Sequence, residues 1–208
     1  MNTFMSYLLG NIMASIISLS GCLIFTAFGI IQCTFTFQMT AYIRVLRDHL
    51  EYNGPRDSGI YQQHKLLIRI LNDYNELFAG QIYLEILVSS VMPCGFLYAI
   101  IKALRRGDNS KLDLIQQICM ALASPFVICP CGQLISTEME KLHESSYMSE
   151  WYEEKPKIRR DLLTLMTMTT KLIVPNYRLF IRFDHVCLAS VCQGLYSFIM
   201  MIINFDSE

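Results

Sequence analysis

His143-Glu144 opens the one stretch that approaches a catalytic spacing. A zinc-binding HExxH motif needs a second imidazole four residues on, so that both ligands share one helical face. Tyr147 stands at that place, and the motif fails. His49, His64 and His185 lie far apart in the chain. Cys129-Pro130-Cys131 lacks the two-residue spacer of a CxxC redox pair. There is no G-x-S-x-G nucleophile elbow and no glycine loop to cradle a phosphate. These residue types therefore predict no enzyme, no metal site and no cofactor.

The other polar groups stand out because of what surrounds them. Val186 to Phe205 holds no charged residue, yet Ser190, Gln193, Ser197 and Asn204 recur at helical spacing. Lipid cannot satisfy such a stripe, so it must turn towards another helix or towards water. Glu85 is the only charge between Ala79 and Lys102. A carboxylate in an apolar helix is costly and often functional. Its place, little more than a turn past Gly80, puts it at the membrane interface. Gln116, Gln117 and Ser124 are candidates to meet a partner helix or a ligand.

The elements that carry these residues are membrane spans. The chain has 208 residues, 53% hydrophobic and 17% charged, with a mean hydropathy of +0.35. Soluble domains usually carry about 25% charge. The net charge of -1 gives no basic field, so no nucleic-acid partner is expected. No ionised side chain precedes Arg44. That opening is too long for a cleaved signal peptide and lacks its basic start. All eight cysteines lie in apolar segments, where cysteine acts as a small hydrophobe rather than a disulfide half.

An all-α membrane protein with four transmembrane helices follows, with spans at about residues 7–42, 79–102, 112–135 and 172–205. Each has the ~20 apolar residues that cross a ~30 Å hydrocarbon core. Asn53-Gly54-Pro55 ends the first helix. Two connecting regions, about 43–78 and 138–171, are soluble helical extensions. Leu66, Leu67, Ile70, Leu71, Tyr74, Leu77 and Phe78 recur at three- and four-residue steps. Leu162, Leu163, Leu165 and Met166 repeat the pattern. Both extensions fall on one side of the membrane, and within them residues 44–78 and 138–161 hold ten Lys/Arg, which favours that side being cytoplasmic.

Gly132-Gln133 is followed by Glu138, then by Tyr147 and Trp151-Tyr152 at the spacing of a Y-x3-W motif. A basic amphipathic segment, Lys157 to Met166, and a link from Lys171 to Pro175 come next. The last helix carries Leu195-Tyr196-Ser197-Phe198. With these pieces in order, the chain from Cys129 onwards resembles the insect odorant receptor family of seven-span ligand-gated cation channels, and the end of its last helix is similar to the family's closing aromatic-Ser/Thr pattern. His64, Leu71-Asn72 and Leu77-Phe78 resemble the helix before the family's fifth span. The four spans would then be the family's spans four to seven. The family is about twice this length, so the chain reads as a C-terminal portion of a receptor.

The resemblance implies a subunit of an odorant-gated nonselective cation channel in the plasma membrane of olfactory neurons, with a short extracellular C-terminus. It implies a heterotetramer with an odorant receptor coreceptor and a small volatile hydrophobic ligand. Two apolar residues one turn apart near the C-terminus form the family's gate, at positions Ile199 and Ile203 here; Gln193 and Ser197 would line the wider pore or contact a neighbouring helix. Positions available for a ligand pocket are Met13, Ile16, Ile17, Ile115 and Ile118. The anchor that joins subunits would use Tyr147, Trp151, Leu162, Met166 and Leu71. Two alternatives stay open: a gustatory receptor of the same superfamily, and a nonfunctional truncated fragment.

Overall fold

A computed structural model describes residues 2–106, 111–170, 176–177 and 181–206. Its elements are α1 (Asn2–Asn53), α2 (Ser58–Arg106), α3 (Lys111–Met148), a single 3-10 turn (Trp151–Glu153), α4 (Pro156–Thr170), strands β1 (Asn176–Tyr177) and β2 (Ile181–Arg182), and α5 (His185–Asp206). Four helices, α1, α2, α3 and α5, are long and apolar enough to cross a membrane. The protein is an all-α, multi-pass membrane protein.

The first two helices are far longer than a bilayer requires. At 52 residues, α1 extends about 78 Å at roughly 1.5 Å per residue. Its apolar part continues without a break into the charged stretch after Arg44. It stops at Gly54, whose φ of 72° is the left-handed conformation that ends helices and favours glycine. The Gly54 amide donates back to the Leu50 carbonyl at 3.0 Å. The next helix starts at once, because Asp57 Oδ1 accepts the Gly59 amide at 2.8 Å and so caps it.

Beyond the apolar spans, α1, α2, α3 and α4 form a four-helix bundle. Its core joins Ile43, Leu46 and Leu50 to Ile60, Leu67 and Leu71, to Ile135, Met139 and Leu142, and to Leu162, Leu165 and Met166. Each set keeps the spacing that places its members on one face of its helix. The buried stripe on α2 is narrower than the hydrophobic pattern predicts. Leu66 and Leu77 are exposed, while His64 is buried.

A second core lies within the spans and gathers Phe28, Ile82, Ile86, Ile128, Cys129, Phe183 and Val191. An aromatic ladder between α1 and α2 connects the two cores. Phe35 stacks on Tyr74 at 3.7 Å with planes 5° apart. Tyr74 meets Phe78 at 5.0 Å, and Phe78 meets Phe28 at 6.1 Å. The central element is α3, which packs extensively on both α1 and α2. It runs through Pro125 and Pro130 as one helix, as α2 does through Pro93.

The region before the last helix differs from the expectation of one helix over 172–205. Asn176 pairs with Arg182 and Tyr177 with Ile181 in a two-residue antiparallel ribbon. The last helix begins at His185. Asp184 sets that start: its Oδ1 accepts the Cys187 amide at 3.0 Å, and its carbonyl accepts the Leu188 amide at 3.2 Å. An aspartate in this place satisfies donors that the first helical turn leaves open. Residues 171–175, expected as a link into that helix, and 107–110, expected as a loop, lie outside the described residues.

Candidate functional site

Three helices of the membrane region enclose a cleft of about 570 Å³. From α1 it takes Gly21, Cys22, Phe25 and Phe28; from α2, Gln81, Glu85, Val88, Ser89 and Met92; from α3, Met120 and Ala121. The cleft exists because α1 and α2 touch less with each other than either does with α3. They flank α3 and leave a trough over it. Phe28 and Phe78 lie at the end nearer the charged bundle. The lining is mainly aliphatic and aromatic, which suits a small apolar ligand held by shape and dispersion.

Polar groups gather at one place in this cleft. Glu85 lines it half-buried, Ser89 lies one turn on, and Ser124 of α3 faces Glu85. Ser124 is buried beside the Glu85 carboxylate and does not itself line the cleft.

The last helix stands beside α2 and α3. Val191 and Ile202 are buried, and Cys187, Leu188 and Leu195 pack against the core that holds Val191. Its other face is open: Ser190, Gln193, Tyr196, Ser197 and Ile203 are exposed. Its base is clamped to α3. Phe183 is fully buried, and a β-carbon built on Gly132 would collide with the Phe183 carbonyl oxygen. Only glycine permits that approach.

At the charged end, Glu138 is 2% exposed and gathers three cations. Arg44 Nη2 donates to Oε1 at 3.1 Å, Arg47 Nη1 approaches Oε2 at 3.4 Å, and Lys141 Nζ donates to Oε1 at 3.0 Å. Burial works against the charged form here. Hydrogen bonds and charge from Arg44 and Lys141 outweigh it and hold the carboxyl below its usual range. Further polar ties brace the bundle. Ser145 donates to Glu51 at 2.9 Å, and Arg56 pairs with Glu154 at 2.8 Å. His143 Nδ1 lies 3.1 Å from Thr169 Oγ1. The Thr169 hydroxyl already donates to the carbonyls of Leu165 and Met166, so His143 is the donor.

A sequence model for the family described as 7tm Odorant receptor matches residues 1–196. The chain belongs to the odorant receptor family. Odorant receptor 85b of Drosophila melanogaster is 20% identical over 160 residues, which is 75% of this chain and 40% of that protein. Odorant receptor 85c of the same fly is 21% identical over 141 residues, 68% of this chain and 36% of its own length. The chain thus spans about two-fifths of the length of the curated relatives it matches. Membership of the odorant receptor family agrees with the resemblance read from the sequence.

In this odorant receptor chain, Leu71, Leu162 and Met166 meet in one core, with Trp151 packed against it. Tyr147 does not join them and is 62% exposed. Ile199 and Ile203 lie one turn apart on α5, the first half-buried and the second 52% exposed. Gln193 and Ser197 are on the exposed face. Met13, Ile16, Ile17 and Ile115 are exposed and Ile118 is half-buried; none of the five lines the cleft. Sequence reasoning missed the Glu138 cluster, although Glu138 and Lys141 stand at the i,i+3 spacing of a helical pair. It also missed the Gly132 contact, for which an isolated glycine in a helix was the available signal.

Among the described residues no group of three or more His, Cys, Asp or Glu side chains is placed to hold a metal ion.

Proposed function

We propose that the chain is part of a subunit of an odorant-gated, nonselective cation channel. The observation that supports this most directly is the double role of α3. One part of it, Met120 and Ala121, lines the cleft, and another, Gly132, seats the base of α5. A ligand that spreads or tightens the cleft moves a rigid helix that also holds the last helix. Such a connection through one packed element is a physical route for coupling two sites.

In this reading the open face of α5 faces a central pore shared with other subunits, one of them an odorant receptor coreceptor. Ile199 and Ile203 form an apolar gate that closes by dewetting, with Gln193 and Ser197 below it or against a neighbouring helix. The four-helix bundle is cytoplasmic and anchors the subunits, and the C-terminus lies outside the plasma membrane. The Lys/Arg-rich bundle supports that orientation.

The test is ligand-evoked current in cells expressing the full chain with the coreceptor. Cation current that rises with a volatile ligand and is lost without the coreceptor supports the reading. Correct surface delivery with no current from any volatile in a broad panel contradicts it.

A further inference from the structure

We propose that a groove between α2 and α5 holds a phosphatidylethanolamine lipid from the leaflet on the bundle's side, with its phosphate on Arg182 and its ammonium on Asp184. This needs only the membrane spans and is independent of the ligand cleft.

The groove has a volume of about 710 Å³, and two helix faces wall it. Tyr83, Ile86, Leu87 and Ser90 share one face of α2. Cys187, Val191, Gly194 and Leu195 share one face of α5. Protein does not fill the space at Gly194, where a built β-carbon has nothing within 4 Å. The hydroxyls along the walls are satisfied within their own helices. Ser90 donates to the Ile86 carbonyl at 2.7 Å and Ser190 to the Val186 carbonyl at 2.9 Å. Such walls suit hydrocarbon rather than water. Val186 to Leu195 covers about 14 Å at roughly 1.5 Å per residue, close to one leaflet's half of a ~30 Å core. An acyl chain of one leaflet fits that length.

The mouth of the groove is charged. Arg182 and Asp184 both line it, just before the uncharged run opens at Val186. The headgroup layer is roughly 5–7 Å deep on each side of the core, so both charges lie within it. Arg182 is exposed, and among the described residues no salt bridge joins it to Asp184 or reaches either of them. A cation and an anion side by side match a zwitterionic headgroup. Arginine takes phosphate oxygens with paired N–H donors. A primary ammonium brings three donors to a carboxylate, whereas the quaternary nitrogen of choline brings none. A purely anionic headgroup would meet Asp184 as a like charge.

The test is native mass spectrometry of the full chain in dodecyl maltoside, titrated with dioleoyl phosphatidylethanolamine, phosphatidylcholine and phosphatidylglycerol. Phosphatidylethanolamine should bind at least ~10-fold more tightly than the other two, the weight of one hydrogen bond between charged groups. Asp184→Asn keeps a capping oxygen for α5 and should bring phosphatidylethanolamine down to the level of phosphatidylcholine. Arg182→Gln should weaken both. Gly194→Leu, whose side chain enters open space, should exclude all three. Glycerophosphoethanolamine, the same headgroup without chains, should not compete. Equal binding of the three lipids overturns the proposal, as does a preference for phosphatidylglycerol. An Asp184→Asn protein that keeps the preference, or a Gly194→Leu protein that binds as the wild type does, also overturns it. Competition by the chain-free headgroup would show that the charges bind without the groove and would remove the lipid. A second copy of the chain in the groove would appear in the same spectra as a dimer lost in Gly194→Leu, without any lipid preference, and would likewise overturn it.

Discussion

Gly132 and Phe183 lie so close that the space of a β-carbon on Gly132 is taken by the Phe183 carbonyl oxygen. Backbone, not a flexible side chain, stands in the way. The contact fixes the base of α5 on α3, and several neighbours depend on it. Phe183 belongs to the same core as Cys129 and Val191.

Gly132→Ala should therefore displace the 181–184 segment rather than a rotamer. Overpacking of this kind costs about 1–3 kcal/mol. The expected result is a lower melting temperature in detergent and, in the channel reading, altered gating. The check is thermal unfolding of Gly132→Ala beside Gly10→Ala. Nothing lies within 4 Å of a β-carbon at Gly10, so that variant should match the wild type.

Glu138 should be the most sensitive charged position in the bundle. Glu138→Gln keeps its size but leaves Arg44, Arg47 and Lys141 without their shared anion. Arg44 and Lys141 are half-exposed and regain water, which limits the loss to about 1–3 kcal/mol. The folded carboxyl titrates below its unfolded value. Its contribution is thus present above the unfolded pKa and fades as pH falls through the folded one. Stability curves from pH 6 down to pH 3 should be flatter in Glu138→Gln than in the wild type.

His64 predicts acid sensitivity of the bundle in a different window. It is 5% exposed and its Nε2 has no hydrogen-bond partner. Burial lowers its pKa from 6.5 to about 4. Tyr61, Lys65 and Asp161 are the titratable groups beside it in the adjoining α2–α4 cleft. The folded state favours neutral imidazole, so this stability is complete above pH 6.5 and declines as pH falls towards 4. The limiting slope is about 1.4 kcal/mol per pH unit. His64→Phe should remove the decline between pH 6.5 and 4; an unchanged slope would show that another group causes it.

Ile203 tests the pore assignment. It is exposed on α5 one turn from half-buried Ile199. Ile203→Glu places a charge where an apolar constriction is proposed, and should give a leak current without ligand. Wild-type conductance and no leak would remove Ile203 from the gate.

The spans and the bundle helices were legible because each depends on its own residues. The uncharged run before Arg44 declares a membrane helix by length alone, and Leu71, Leu162 and Met166 declare buried faces by spacing. The start of α5 was less legible. The apolar run continues through Leu172 and Ile173, while Asp184, the residue that caps the helix, lies after it. Read as an N-cap before an apolar run, Asp184 marks the boundary. The cleft and the Glu138 cluster were not legible, because both depend on contacts across helices. Arg44 and Glu138 are 94 residues apart, and no local pattern brings them together. Ser124 was recognised as a polar candidate, but its position opposite Glu85 requires the packing of α2 on α3.

The most direct measurement of the central claim is ligand-evoked current from the full chain carrying Val88→Trp, expressed with the coreceptor. Val88 lines the cleft and belongs to neither the α5 base nor the bundle core. The account predicts normal surface expression and a response reduced by more than ~10-fold, because the ligand has lost its place. An undiminished response at unchanged ligand sensitivity would contradict it and place the ligand elsewhere.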